Sequence, residues 1–442
     1  MIWPTIAVIA LAGTAIMAMK PRQGLGLFLF VMMVYPRYMV VSLGTIDLPA
    51  HRVLALFLLV RAIMEPGLLA SVRRNALDYL VVGLYGWGVL ALLVTEGTEV
   101  LENRGGAFMD MVLPYLAARV IVRDRQDIIT AAKWAAIAVF PMAAVGVTES
   151  FTGWSPYAYL RANAAWQLNL EGTVRMGLYR ANGPAMSIVF GLLFVAVMSL
   201  LPALTKAGAA WRRAAYLSIA ASIIGSLSSM SSGPYLGLVV FCFCAALIWK
   251  PSLVRPVLVL SLIGILAVEV GSNRHFYYQI SRFTFNAGTA WYRARLFEEA
   301  IKHLGEYWTF GYGFKDPGWG PSLDDRLTVD VCNHYVLLAV TYGAMAPALF
   351  TGILAAAVAR MRKAYLTARD AVIRDTAWYV ASAVIGFAFA LWSVGLLSLM
   401  EGLFYTMIGV AAGPAFDALN NGGGTPRGVY SNGAARTGPP GA

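Results

Sequence analysis

Residues 271–335 of this chain gather many of the side chains that could bind a charged ligand or move a proton. Arginines, histidines and carboxylates stand there among tryptophans and tyrosines, between two apolar runs. Guanidinium groups bind phosphate oxygens through paired hydrogen bonds, and aromatic faces suit sugar rings. Residues 149–183 form a shorter segment that mixes arginines and glutamates with tryptophans and tyrosines. We therefore expect any chemistry of this chain in these two segments.

Residues 290–304 of the longer segment predict an amphipathic helix. Their sequence, AWYRARLFEEAIKHL, repeats apolar residues at helical spacing, carries Arg293 and Arg295, and would end at Gly305. The sequence FGYGF follows at 310–314, where two glycines allow a tight turn against the helix or a ligand. No GK[ST] follows it, which excludes the phosphate-binding loop of nucleotide-binding proteins.

Two side chains near the end of the longer segment could accept a proton. His334 follows Asn333 at the start of an apolar run, where a neutral imidazole could act as a general base near about pH 7. Asp330 is the second candidate. His275 and His303 lack the spacing of metal ligands, so the sequence predicts neither a metal nor a cofactor.

The chain as a whole is too apolar for a soluble protein. Of its 442 residues 59% are hydrophobic and 13% are charged, whereas a soluble domain carries about 25% charged residues. Runs rich in Leu, Ala and Val recur at lengths close to a bilayer crossing, which favours helices over a barrel. We predict an all-α polytopic membrane protein with about twelve or thirteen transmembrane helices.

These helices are predicted to form one transmembrane domain, residues 1–418, followed by a disordered Gly-, Pro- and Ser-rich tail, residues 419–442. The predicted spans lie near residues 2–19, 24–43, 53–64, 77–95, 107–122, 128–147, 184–204, 214–227, 235–249, 254–270, 335–359, 378–394 and 397–416. The spans at 53–64 and 214–227 are short for a full crossing, so we expect them to be tilted, re-entrant or extended at their ends.

The formal net charge of +11 is concentrated in short connectors. Basic residues cluster near 73–74, 123–125, 206–213, 250–255 and 360–374, in every second connector. This alternation is typical of cytoplasmic loops under the positive-inside rule, and it argues against a nucleic-acid surface. Residues 149–183 and 271–334 are then outer loops. The three cysteines have no spacing that predicts a disulfide framework.

Three short motifs resemble, in order and spacing, those of the O-antigen ligase and O-antigen polymerase superfamily of bacterial envelope glycosyltransferases. LYRANGP at 178–184 is similar to the family's arginine-and-glycine segment after its smaller outer loop. RARLFEEAI at 293–301, followed by GYGF, is similar to its arginine, hydrophobic helix and GxG turn. NHYVLL at 333–338, with Gly343, is similar to the opening of its next helix. The similarity covers roughly residues 75–415.

This chain departs from the family's pattern at one position. Cys332 stands where the family usually has a histidine, and His334 lies two residues later. On a helix those two positions point in different directions. The general base is therefore His334, an acid such as Asp330, or part of a different catalytic arrangement.

The resemblance implies a metal-independent transfer of a glycan from an undecaprenyl-pyrophosphate carrier at the periplasmic face of the bacterial inner membrane. Arg180 and Arg293 would bind and neutralise the pyrophosphate leaving group, with Arg295 and Arg161 in reserve. The altered CNHY motif favours a polymerase of exopolysaccharide or O-antigen repeats over a ligase that acts on a lipid A core. The implied partners are the lipid-linked oligosaccharide, the bilayer, and a chain-length regulator or export complex.

Two other classes of membrane protein remain open. A transporter, for instance a flippase for lipid-linked oligosaccharides, would have a similar number of spans, but it should show related halves or ionisable groups near the midplane. The sequence has no evident internal repeat and few charges within the spans; Arg37 and Arg61 are exceptions. A non-catalytic subunit of an export complex would keep the fold and tolerate the loss of Arg180, Arg293 and His334.

Overall fold

The computed structural model describes residues 2–44, 46–161, 174–273, 275–280, 287–323, 329–397 and 399–417. These residues are mostly helical, with two short antiparallel hairpins, so the predicted all-α class is confirmed. The predicted disordered tail, residues 419–442, lies outside the described residues.

The part of the chain up to residue 161 contains both long apolar helices and short connecting ones. A π-helical segment, Phe108–Val112, separates the fifth helix from the sixth. The elements are α1 (Ile2–Ala18), α2 (Pro21–Val34), β1 (Val40–Leu43), β2 (Ile46–Pro49), α3 (Ala50–Met64), α4 (Ala76–Glu96), α5 (Val100–Ala107), α6 (Leu113–Ile121), α7 (Arg125–Thr152) and α8 (Ala158–Arg161).

The middle of the chain begins with a second hairpin, in which Val174 pairs with Tyr179 and Arg175 with Leu178. Four long helices follow it. The elements are β3 (Val174–Arg175), β4 (Leu178–Tyr179), α9 (Ser187–Met198), α10 (Ala209–Ser228), α11 (Ser232–Ala246) and α12 (Val254–Gly271).

The last part of the chain first forms the longer of the two polar segments and then returns to the helical bundle. The elements are α13 (Tyr277–Ile280), α14 (Ala287–Lys302), α15 (Leu304–Tyr307), α16 (Gly320–Leu323), α17 (His334–Tyr342), α18 (Met345–Thr367), α19 (Ala371–Ala390) and α20 (Leu399–Ala412).

Seven helical stretches in the described chain are long and apolar enough to cross a membrane: Ala76–Glu96, Arg125–Thr152, Ser187–Lys206, Ser232–Trp249, Pro251–Gly271, Met345–Thr367 and Ala371–Ala390. Three shorter apolar helices accompany them: Trp3–Ala18, Pro21–Val34 and Leu399–Ala412. The chain is therefore a multi-pass helical membrane protein. The predicted count of about twelve or thirteen crossings would also need α3, α6 and α10 to cross.

The predicted span at 24–43 is wrong in its second half. Helix α2 ends at Val34, and Tyr35 precedes Pro36. A residue before proline is disfavoured in a helix, and proline has no backbone N–H to continue one. The chain instead forms the β1–β2 hairpin, in which Val40 lies opposite Pro49.

The predicted span at 335–359 is broken, whereas the predicted span at 107–122 is helical without interruption as far as Ile121. Gly343 separates α17 from α18 with a φ of 82°, and a Cβ there would lie 2.0 Å from the Thr309 carbonyl oxygen. Only glycine adopts this backbone conformation readily and leaves room for that carbonyl. The second span consists of the π-helical segment Phe108–Val112 followed by the short helix α6.

The predicted amphipathic helix at 290–304 is present as α14, but its predicted end is wrong. Helix α14 ends at Lys302, and Gly305 lies inside the short helix α15. The predicted tight turn at 310–314 is confirmed, because Gly311 and Gly313 both have positive φ. The turn approaches the backbone of Thr341, and the Phe314 N–H donates to Glu96 Oε1 at 2.9 Å.

Three of the connectors rich in basic residues, at 73–74, 123–125 and 360–374, lie at the same end of the bundle. Arg119 donates to the Arg73 carbonyl, and Arg125 lies 3.6 Å from Asp370. Helix α7 runs from there to Thr152 over 28 residues, about 40 Å at 1.5 Å per residue. We call the end at Thr152 the loop end, because both polar segments lie there.

Candidate functional site

Arg180 and Arg293 meet at the loop end, on the turn between α10 and α11. Arg180 Nη2 donates to Ser187 Oγ at 2.5 Å and to Ser231 Oγ at 3.0 Å. Arg293 Nη1 donates to Ser232 Oγ at 3.4 Å. The two arginines that the sequence analysis placed first at a pyrophosphate site thus contact consecutive residues of one turn.

A third arginine, Arg175, joins them through the same turn. Its Nη1 donates to the Met230 carbonyl at 3.2 Å. Met230 has a φ of 45°, which is uncommon for a residue other than glycine and marks a constrained backbone. We call Arg175, Arg180 and Arg293 the arginine cluster, and residues 230–232 the serine turn.

The β3–β4 hairpin places Arg175 beside the chain that carries Arg180. Met176 and Gly177 connect the two strands, and both have positive φ, at 53° and 81°. Positive φ at both turn residues is the pattern of a type I′ turn, whose twist matches that of the flanking strands. Arg180 follows β4 directly, so the hairpin brings both guanidinium groups towards the serine turn.

Glu149 anchors the chain that follows Arg180. This carboxylate is 4% exposed at the loop end of α7. Its Oε2 accepts hydrogen bonds from the backbone N–H groups of Asn182, at 2.6 Å, and Gly183, at 2.8 Å, while Oε1 accepts from the Ser155 hydroxyl. A buried carboxylate that receives backbone N–H groups fixes the chain that supplies them. Glu149 therefore positions Arg180 without touching its guanidinium.

Helix α14 separates Arg293 from Arg295. Arg293 points to the serine turn and also hydrogen-bonds the Cys332 thiol. Arg295 instead lies over the Trp291 ring, with its guanidinium carbon 4.8 Å from the ring centroid. Residues two apart on a helix face different sides. The structure thus brings Arg293, and not Arg295, into the cluster.

The arginine cluster has no carboxylate paired with it in the described part of the chain. Burial, and then the charge of Arg175, lower the pKa of Arg180 to about 10. Burial, and then the charge of Arg293, lower the pKa of Arg175. The Nε atoms of Arg180 and Arg293 are buried without a hydrogen-bond partner among the described residues. An anion placed here would relieve the repulsion and could accept these unused N–H groups.

The start of α11 adds to the positive potential of the cluster. Ser231 is the N-cap of this 15-residue helix, but its side chain accepts no capping hydrogen bond from the helix. The first N–H groups of a helix carry a partial positive charge and bind anions. Because the serine turn leads directly into α11, this end of the helix lies next to the three guanidinium groups.

His334 lies in a different environment from the arginine cluster. The residue is 6% exposed, and its Nδ1 accepts a hydrogen bond from the Leu396 N–H at 3.2 Å. The centroid of its ring lies 4.8 Å from that of the Phe350 ring. Within the described residues, neither an ion pair nor a hydrogen bond joins it to an arginine. The imidazole is therefore placed among apolar side chains.

Asp330, the second candidate base, is exposed. Its backbone carbonyl accepts from the Tyr292 hydroxyl at 3.1 Å, which ties it to α14. Burial raises the pKa of the neighbouring Cys332 thiol; the charge of Arg293 opposes this and that of Asp330 adds to it. The Cys332 thiol is thus under the electrostatic influence of both Arg293 and Asp330. The side chain of Arg161 lies outside the described residues.

The sequence analysis missed Arg175, Glu149 and the serine turn as parts of one site. Residues 228–234 read SSMSSGP, a small polar string between two apolar runs, and this was the available signal. Nothing local to that string indicates that arginines 55 residues before it and 61 residues after it would reach it.

No protein-family model matches this chain, and no curated protein is significantly similar to it.

Proposed function

We propose that this protein polymerises undecaprenyl-pyrophosphate-linked oligosaccharides at the periplasmic face of the bacterial inner membrane. The observation that carries the proposal is the arginine cluster, in which three guanidinium groups converge on the serine turn and pair with no carboxylate of the described residues. A lipid pyrophosphate supplies the negative charge that this site lacks. The motif order that resembles the O-antigen polymerase and ligase superfamily supports the same activity.

In the proposed reaction, a hydroxyl oxygen of the acceptor sugar attacks the anomeric carbon of the donor glycan. The bond between that carbon and the pyrophosphate oxygen breaks, and its electron pair leaves with the lipid pyrophosphate. The arginine cluster stabilises the negative charge that develops on this leaving group. The start of α11 contributes in the same direction.

The proton of the acceptor hydroxyl goes to Asp330 in this proposal. Asp330 is exposed and adjoins Cys332, which Arg293 contacts. A general base must lie within hydrogen-bond reach of the proton that it removes. His334 is less suited to this role, because its ring is buried and Nδ1 already accepts the Leu396 N–H.

The test compares polymer output in a deletion strain that is complemented with wild type or with single variants at matched membrane levels. Arg180→Ala, Arg293→Ala and Asp330→Asn should abolish long glycan and cause single lipid-linked repeats to accumulate on the outer face. Arg295→Ala is the matched control, because Arg295 lies on the same helix as Arg293 but outside the cluster. It should leave polymer output close to wild type.

Three outcomes would refute the proposal. Normal polymer from all three site variants would remove the catalytic role of the cluster. Repeats trapped on the inner face would instead assign the protein to transport. Loss of glycan from the lipid A core, with free polymer still made, would identify a ligase.

A further inference from the structure

His303 lies at the joint between α14 and α15, in the longer of the two polar segments. Helix α14 ends one residue before it, and its backbone carbonyl accepts from the Glu306 N–H at 2.9 Å at the start of α15. Its side chain is 27% exposed. The joint is therefore the place where the chain leaves the helix that carries Arg293.

Two carboxylates, one on each helix, face the two ring nitrogens of His303. Nδ1 lies 2.7 Å from Glu306 Oε1 on α15, and Nε2 lies 3.4 Å from Glu299 Oε2 on α14. Glu299 is 7% exposed, and its Oε2 is buried without a hydrogen-bond partner among the described residues. The imidazole thus bridges the two helices through both of its nitrogens.

Two further parts of the chain complete the surroundings of the ring. The Trp319 ring, just before α16, stacks on it, with the ring centroids 5.7 Å apart and the planes inclined by 22°. The Tyr312 hydroxyl donates to Glu306 Oε2 at 2.6 Å. Tyr312, and then His303, lower the pKa of Glu306, so this group stays a carboxylate near neutral pH.

The doubly protonated ring suits this arrangement better than the neutral one. An imidazolium has two N–H groups and can direct one to each carboxylate, whereas a neutral imidazole has one N–H and one lone pair. When the proton stays on Nδ1 beside Glu306, the lone pair of Nε2 faces the buried oxygen of Glu299. The face of Trp319 also attracts a cation more strongly than a neutral ring.

Two effects oppose the charge on the ring, and water weakens both. Lys302 Nζ lies 3.5 Å from the same Glu299 oxygen, and its positive charge repels an imidazolium. Its side chain is 66% exposed, so solvent screens the repulsion. The remaining exposure of the ring limits the cost of its partial burial. The contacts with the two carboxylates and with Trp319 therefore outweigh them.

We propose that His303 is a pH-sensitive clasp between α14 and α15. In acid the imidazolium ties both helices to each other and to Trp319. As the pH rises through the range in which imidazoles lose their charge, about pH 5 to 8, the contact with Glu299 is lost and the clasp weakens. Arg293 lies six residues before Glu299 on α14, so an open clasp loosens the helix that carries it. The inference does not depend on the proposed function.

The test follows amide hydrogen exchange of the full-length protein in lipid nanodiscs at about pH 5.5 and about pH 8, on either side of the imidazole range. Exchange rates are divided by those of an unstructured chain at the same pH. The protection of residues 296–307 should fall about tenfold or more at the higher pH, because a contact between charged groups at a buried oxygen is lost. The protection of α7 should not change.

Two variants and a matched control assign the effect to the clasp. His303→Gln has no charge at either pH, so residues 296–307 should be weakly protected at both. Glu306→Gln, at a side chain 58% exposed, should reduce the pH dependence, because an amide accepts less strongly than a carboxylate. Lys302→Gln is the control, since Lys302 faces the same Glu299 oxygen but a lysine keeps its charge over this range. It should retain the wild-type pH dependence.

Three results would overturn the inference. Equal protection of residues 296–307 at both pH values in wild type would show that the joint does not respond to pH. A pH dependence that survives in His303→Gln would assign the response to another group. An equal change in α7 would show that the whole bundle, rather than this joint, is sensitive to pH.

Discussion

Removing the Glu149 carboxylate should make the position of Arg180 less well fixed, although Glu149 does not contact the Arg180 guanidinium. In Glu149→Ala, the buried N–H groups of Asn182 and Gly183 lose their acceptor. Each unsatisfied group costs about 1–3 kcal/mol, so the free energy of unfolding should fall by about 2–6 kcal/mol. Glu149→Gln keeps an amide oxygen for both N–H groups but loses the charge. Because charge-assisted hydrogen bonds are roughly twice as strong as neutral ones, we expect it to cost about 1–2 kcal/mol.

The assay pairs thermal unfolding of the purified protein with the dissociation constant for bare undecaprenyl pyrophosphate. In the order wild type, Glu149→Gln, Glu149→Ala, the thermal stability should fall and the dissociation constant for the lipid should rise. Ser155→Ala is the control, because Ser155 binds the other oxygen of the same carboxylate and not the chain after Arg180. Ser155→Ala should lower the stability of the protein without weakening its binding of the lipid. A Glu149→Ala protein that is destabilised but binds the lipid like wild type would show that Glu149 does not position Arg180.

Three further predictions concern other parts of the fold. Gly343→Ala should lower the free energy of unfolding by more than about 2 kcal/mol in thermal denaturation, because its Cβ would meet the Thr309 carbonyl at 2.0 Å. Asp110→Asn should cost about 3–5 kcal/mol, because Arg52 would lose the charge that balances it in a buried site. Alkylation of Cys332 by iodoacetamide at about pH 8 should be slower than that of a free thiol, because burial raises the pKa of this thiol and reduces the reactive thiolate.

The first two of these predictions have matched controls in the chain. Gly105→Ala, in a helix with nothing within 4 Å of the new Cβ, should be neutral or stabilising by about 0.5–1 kcal/mol. Asp375→Asn, at an exposed pair with Arg374, should cost less than about 1 kcal/mol. Cys242 and Cys244 are replaced by serine before the alkylation. Equal losses in a variant and its control, or rapid alkylation of Cys332, would contradict the reasoning.

The helical architecture could be predicted because its signals are local. An apolar run of sufficient length reports a span by itself, and the basic connectors order the spans. Two of the errors had local signals as well. The pair Tyr35-Pro36 marks the end of α2, and Gly343 marks the break before α18. Both signals lie inside hydrophobic runs, and the apolar composition of those runs led to the prediction of uninterrupted spans.

The arrangement of the candidate site depends on contacts that are distant in sequence. The motif resemblance singled out Arg180 and Arg293 for one site, and the structure brings these two residues to one turn. The resemblance could not identify Arg175 as part of the site. Arg175 donates to the backbone carbonyl of Met230, and every residue type has such a carbonyl, so the sequence gives no sign of this contact. The burial of His334 likewise depends on the Leu391–Leu396 stretch, which meets it only in three dimensions.

The start of the longer polar segment, which follows α12, should respond to the membrane differently from the arginine cluster. None of the described residues of α12 is buried by protein, and its stretch Pro251–Gly271 is apolar and about 30 Å long, which suits direct contact with lipid. A helix without packed neighbours adjusts its tilt to the thickness of the bilayer. Membrane composition should therefore set the height at which Gly271 emerges. The arginine cluster, held by α7 and the serine turn, should keep its position as lipids change.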